Sequence, residues 1–174
     1  MGIRTKVEEL ISRLAKERQF PTQGEVLFVD LEQKTVKNAF IPKEAVETFL
    51  GGRGVNMFLL YNLLNTTLFP AHPEIPLIFG TGLLTSYVPS AARGNVSSWS
   101  PESKIIMDAN AGDFFPSFMK FNEIDHLVIY GKADEWTTLK ICGKEVTFES
   151  AKNLVGLDNI DLREKICAES GVEG

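Results

Sequence analysis

The chain has 174 residues, 44% of them hydrophobic and 24% charged, with a net charge of -5 and a pI near 5.1. That length suits one substantial core, and that balance excludes disordered, collagenous and coiled-coil chains. The acidic charge, without any Lys/Arg cluster, excludes a nucleic-acid footprint, and no apolar run approaches the roughly 20 residues needed to cross a bilayer.

The first stretch, "MGIRTKVEELISRLAKERQF", mixes charge into every turn and lacks the apolar segment of a secretory signal, so a cytoplasmic protein is expected. Val7, Leu10, Ile11 and Leu14 recur at helical spacing, which predicts an amphipathic helix over 5–18. "EVLFVDL" (25–31) and "TVKNAFIP" (35–42) read as a strand pair. "KEAVETFL" (43–50) reads as a short helix ended by Gly51 and Gly52. The helix over 53–65, "RGVNMFLLYNLLN", carries apolar residues around most of its girth, Tyr61 included, and this predicts burial on more than one face.

"IPLIFGTG" (75–82) reads as a buried strand. "NVSSWS" (95–100) and "KIIMDA" (104–109) read as antiparallel partners joined by the turn "SPES". The turn Asn110-Ala111-Gly112 follows, and Asp113 is a credible N-cap for a helix with Pro116 at its third position. Strands over 126–132, 137–143 and 145–150 and a helix over 161–170 complete the pattern. The expected fold is α+β: mixed, largely antiparallel β-sheets with a few flanking helices. Trp99 and Trp136 are expected to be buried aromatics, and Cys142 and Cys167 reduced core residues, because free cysteine packs as a small hydrophobe. His72, in a Pro-flanked loop, and His126, at a strand start, read as structural.

The candidate site is built around "SAARGNVSSWSPESKIIMDANAG". A strand, a turn of small residues and a helix start present free backbone N–H groups and the positive end of a helix dipole, which together suit an anion. Ala109, Ala111 and Gly112 let a ligand approach the main chain, and Asn110 offers a carbonyl oxygen to a metal; a purely structural turn has the same composition. Arg93, between Ala92 and Gly94, is the only Lys or Arg between Arg53 and Lys104. Its planar fork suits phosphate, and an exposed or carboxylate-paired loop arginine reads identically. Ser97, Ser98 and Ser100 are possible donors to a polar cofactor, or a water-facing edge strand. Arg53, where two glycines lead into a helix, is a further candidate cation, or simply the start of that helix.

The order "FVDLEQKTV", "FLGGRGVNMFLLY", "PLIFGTGLLT", "PSAARGNVSSWSP", "IIMDANAGDFF", "FMKFNEIDHLVIYGKA" resembles the N-terminal domain of tungsten-containing aldehyde:ferredoxin oxidoreductases and of the related tungsten subunit of benzoyl-coenzyme A reductase. The resemblance implies a tungstopterin-binding domain over 24–174; the N-terminal amphipathic helix extension over 1–23 is additional to the family's usual start and is a candidate to pack against a partner. It implies a bis-pterin tungsten cofactor, with Arg93, Gly94, Asn95, Asn110, Ala111 and Gly112 as its binding residues, and a magnesium ion bridging the pterin phosphates at Asn110. Family members often carry two glycines where this chain has Ala91 and Ala92, and Asn-Ser-Gly-Gly where it has Asn110-Ala111-Gly112-Asp113.

The resemblance further implies that the [4Fe-4S] cluster and the proton-transfer groups lie in helical domains beyond the matched region. No catalytic residue is therefore expected here, and the chain alone is expected to be inactive. The function implied is that of a component, small subunit or isolated domain, of an oxidoreductase converting a small aldehyde to a carboxylic acid. Its implied partners are a larger chain carrying the cluster and ferredoxin as electron acceptor, with no nucleic acid and no membrane. A non-catalytic interaction module and a component of an aromatic acyl-CoA reductase are the alternatives.

Overall fold

β1 (Glu25–Asp30) holds four consecutive apolar residues, Val26 to Val29, and all are buried. A strand with no polar face is one covered on both sides. In the computed structural model, which describes residues 1–112, 114–143 and 145–171, β1 occupies such a position. With β2 (Thr35–Ala39), β3 (Leu77–Thr81), β4 (Gly94–Trp99), β5 (Ile106–Ala111) and β6 (Ile124–Tyr130) it forms a six-stranded sheet of order β2-β1-β6-β3-β4-β5. The β1–β6 pair is parallel and the other neighbours are antiparallel. β7 (Thr137–Cys142) and β8 (Glu145–Ser150) make a separate hairpin.

The helices are α1 (Ile3–Arg13), α2 (Lys43–Phe49), α3 (Arg53–Leu63), α4 (Phe114–Phe121) and α5 (Asn159–Ser170). Alternation along β1 sends Val26 and Phe28 into a core shared with Val7 and Leu10 of α1 and Val55 and Leu59 of α3. Leu27 and Val29 face a second core with Met119 of α4, onto which Leu139 and Phe148 of the β7–β8 hairpin pack. The fold is thus the expected mixed, largely antiparallel α+β arrangement.

α1 differs from its expected span of 5–18. Leu14 turns extended, with φ -81° and ψ 161°, and Ala15 exchanges two backbone hydrogen bonds with Phe40, at 2.9 and 2.8 Å. A strand-like bridge replaces a further helical turn because it satisfies the same backbone groups and buries Leu14. The apolar stripe of α1, Ile3, Val7 and Leu10, lies in this chain's own core, so it is not a face held free for a partner. Arg4 fastens the helix to the end of β1: its Nε donates to Asp30 at 2.6 Å and its Nη2 to Glu32 at 2.5 Å. Burial pushes the Asp30 carboxyl up, but the Arg4 hydrogen bond and two turn N–H donors outweigh it and hold the group below its ordinary range.

Other departures are local. β2 stops at Ala39, before Pro42, and β6 starts two residues early, at Ile124. The end of α2 places Leu50, not a glycine, at φ 65°. α3 is buried through Val55, Asn56, Leu59, Leu60 and Leu63, but Tyr61 is 87% exposed. Trp136, expected in a core, is 70% exposed at the start of the hairpin. Cys142 is exposed at the end of β7, outside any core, and Cys167 is half-buried on α5. The proposed N-cap, Asp113, lies outside the described residues.

Candidate functional site

β4 and β5 pair with Gly94 opposite Ala111, Asn95 opposite Asn110, Val96 opposite Ala109 and Ser97 opposite Asp108. Strand alternation therefore places Asn95, Ser97, Asp108 and Asn110 on one face and Gly94, Val96, Ala109 and Ala111 on the other. Asn110 and Ala111, expected in a turn, belong to the last two rungs of the ladder. The strand runs on because Gly94 and Asn95 continue β4 opposite them and keep their backbone groups paired.

Arg93 directly precedes Gly94, and Gly112 directly follows Ala111, so the two leave the ladder at the same end. Both are exposed, as are Asn110 and Ala111. Arg93 has no ion-pair partner among the described residues, and among them none beyond the chain neighbours of Gly112 comes within 4 Å of where a Gly112 Cβ would stand. β5 is the outer strand of the sheet, which leaves one side of its backbone without a strand partner. The two features singled out in the sequence thus meet at one solvent-facing corner.

The face beneath that corner is polar and closely bonded. The Asn95 amide donates to an Asp108 carboxylate oxygen, to the Ala109 carbonyl at 3.2 Å and to Asn110 Oδ1 at 3.3 Å. Its own Oδ1 accepts from Ser97 at 2.7 Å and from Asn56 Nδ2 at 3.0 Å. Asn56, on α3, also reaches the Ile78 carbonyl and pairs through its Oδ1 with His126 Nδ1 at 2.8 Å. The other oxygen of Asp108 meets Arg53 Nε at 3.0 Å. One polar path therefore runs from buried His126 through Asn56, Asn95 and Asp108 to Arg53, whose side chain is 69% exposed.

Burial lowers the His126 pKa to about 4; Asp125 opposes that shift and Lys120 adds to it. The ring is neutral at pH 7, and because Asn56 commits its NH2 elsewhere, its Oδ1 accepts from a protonated Nδ1. His126 is a structural donor, as its sequence position suggested. His72 is likewise local, accepting from the Glu74 N–H at 3.1 Å.

Gly94 and Asn95 are buried. A Cβ at Gly94 would stand 2.8 Å from Pro116 Cγ, so the absence of a side chain there lets α4 close on the sheet. Ser97 and Ser98 are buried too, with Ser98 bonded to the Pro76 carbonyl at 2.9 Å. β4 is not an edge strand, and these hydroxyls are spent inside the protein; Ser100 holds a turn by accepting from Ser103 at 3.2 Å. Sequence reasoning missed Asp108 and Asn56. Asp108 stands two residues from Asn110 on the same face, a spacing that singles it out once the strand is known to extend that far.

Residues 26–174 match the family described as aldehyde ferredoxin oxidoreductase, N-terminal domain. The chain belongs to this family. Tungsten-containing aldehyde ferredoxin oxidoreductase of Pyrococcus abyssi is 34% identical over 134 residues, covering 76% of this chain and 22% of that protein. The enzyme of the same name from Pyrococcus furiosus is 30% identical over 151 residues, covering 86% and 25%. Among solved structures, a chain of the active site complex BamBC of benzoyl coenzyme A reductase, in complex with 1,5-dienoyl-CoA, superposes with a TM-score of 0.81 at 30% identity. That likeness covers 85% of this chain and 23% of the other. The chain spans about a quarter, or slightly less, of the length of these relatives. Among the described residues no helix is long and apolar enough to cross a membrane.

Proposed function

We propose that this chain is the tungstopterin-binding component of an oxidoreductase that converts aldehydes to carboxylic acids and passes electrons to ferredoxin. The observation that carries the reading is the shared corner of β4 and β5, where exposed Arg93 and open Gly112 stand beside exposed Asn110 and Ala111. A guanidinium without a carboxylate partner among the described residues, beside the open Cβ position of Gly112, suits a bulky phosphate ester. The names of the tungsten-containing relatives support that choice of ligand.

In this reading Arg93 holds a pterin phosphate. The main chain of Asn110, Ala111 and Gly112 would lie against the pterins and would meet the magnesium ion, with Asn110 as its contact. Gly94 and Asn95 act from beneath: Gly94 admits Pro116, and Asn95 orients Asn110 through the 3.3 Å hydrogen bond. When bound, the tungsten cofactor supplies the two-electron chemistry; this chain supplies position and charge. The two cysteines cannot furnish the four thiolates of a [4Fe-4S] cluster, so in this reading the cluster belongs to remaining domains or a larger partner chain, and the resemblance assigns the proton-transfer groups to the same part. Alone, the chain is expected to be inactive, and its place is the cytoplasm. An exposed aromatic row on α4, Phe114, Phe118 and Phe121, supports attachment of such a part.

The experiment is anaerobic purification of the chain with whatever accompanies it, followed by metal and pterin analysis. About one tungsten or molybdenum per complex is expected, and a complex devoid of both sinks the proposal. Arg93→Ala is expected to lower that occupancy with an unchanged thermal midpoint, because the residue is exposed. The likeness to the benzoyl coenzyme A reductase complex favours a second reading, reduction of an aromatic acyl-CoA with the same cofactor. Assaying the purified complex with aldehydes and with aromatic thioesters separates the two.

A further inference from the structure

Arg53 has no role in the site described so far. Its Nε is engaged by Asp108 at 3.0 Å, while the four remaining N–H donors of the guanidinium have no partner among the described residues. An ordinary surface pair leaves both side chains free to wander, but Asp108 is only 19% exposed and is itself held by the Asn95 amide. That carboxylate fixes the arginine while most of its fork stays available. Asn95 also bonds Asn110, so Arg53 is joined to the candidate site by an unbroken series of contacts.

The register sets the spacing. Asp108, Asn110 and Gly112 follow one another at two-residue intervals, about 7 Å apart along an extended strand. Asn110 is therefore flanked on one side by the position that holds Arg53 and on the other by the end of the ladder where Arg93 emerges. Arg53 also opens α3, an 11-residue helix whose cap residue, Gly52, supplies no side-chain acceptor. The positive end of that helix adds to the same field.

We propose that Arg53 is a second cationic contact for the ligand, taking a phosphate group on the side of Asn110 away from Arg93, with Asp108 holding its guanidinium in place. The proposal rests on the reading of the Arg93–Gly112 corner as a phosphate-ester site. It makes that site a two-arginine clamp, suited to a ligand carrying two phosphate groups in preference to one.

The test is calorimetric titration of the full chain with inorganic pyrophosphate at low salt, with circular dichroism melts to verify folding. R93Q and R53Q are each expected to weaken binding by about tenfold, the value of a charge-assisted hydrogen bond. R53Q also bares the Asp108 carboxylate, so R53Q/D108N, which removes the pair with no change in net charge, is the deciding variant. It too is expected to bind about tenfold more weakly than the parent. Parental affinity in R53Q, or its return in R53Q/D108N, overturns the role of Arg53 while R93Q still reports on the corner itself. Absence of pyrophosphate binding in the parent chain overturns the corner reading and the clamp together.

Discussion

Asn56 on α3 accepts from His126 Nδ1 at 2.8 Å, and its amide donates at 3.0 Å to Asn95 Oδ1. One side chain thus spans β6 and β4, and through the Ile78 carbonyl it reaches β3 as well. Asn56→Leu removes the partner of a buried imidazole and of a buried amide at once. A loss of about 3 kcal/mol is expected, since each buried polar group left unmade costs roughly 1–3 kcal/mol. Urea unfolding of the variant and parent at pH 7 checks it, and a loss below 1 kcal/mol would falsify the bridging role.

The depressed pKa of His126, about 4, has a definite sign. The unfolded chain takes up a proton near pH 6.5 that the folded chain refuses, so stability is present above pH 6.5 and drains as pH falls toward 4. Between pH 7 and pH 5 this one group accounts for a loss of about 2 kcal/mol. Denaturant titrations across that window on the parent and on His126→Asn isolate it, with the variant expected to show the shallower slope.

Gly94 is required by packing. Gly94→Ala would bring a methyl group 2.8 Å from Pro116 Cγ and 3.1 Å from its Cβ. Neither the proline ring nor the sheet can yield easily, and overpacking of this kind costs about 1–3 kcal/mol. A lowered thermal midpoint is expected, together with weaker retention of any ligand at the adjacent corner.

α1 is a structural part of the domain, because Leu10 and Val7 are almost wholly enclosed by the main core. Leu10→Ala is expected to cost about 3 kcal/mol, the usual range for an emptied leucine site. A detachable helix would leave the unfolding midpoint in place; equilibrium unfolding distinguishes the two.

Much of this architecture is legible residue by residue. The unbroken apolar run of β1 announces a strand covered on both faces, and the spacing of Val55, Leu59 and Leu63 announces a buried helix. Arg93 and the small residues around Asn110 stand out by contrast with their neighbours, and the motif order points to the family that residues 26–174 match. These are local signals, read from the period and chemistry of short segments. The end of α1, the exposure of Trp136 and the inward turn of Ser97 and Ser98 are not local. Each depends on which distant segment supplies a backbone partner or a covering face. The pairing of Arg53 with Asp108 joins residues far apart in the chain, and the meeting of Arg93 with Gly112 depends on the register of β4 against β5. Composition and periodicity say which residues prefer the interior; only closure of the sheet decides which polar groups share one face, because hydrogen-bond register is a property of two strands and of neither alone.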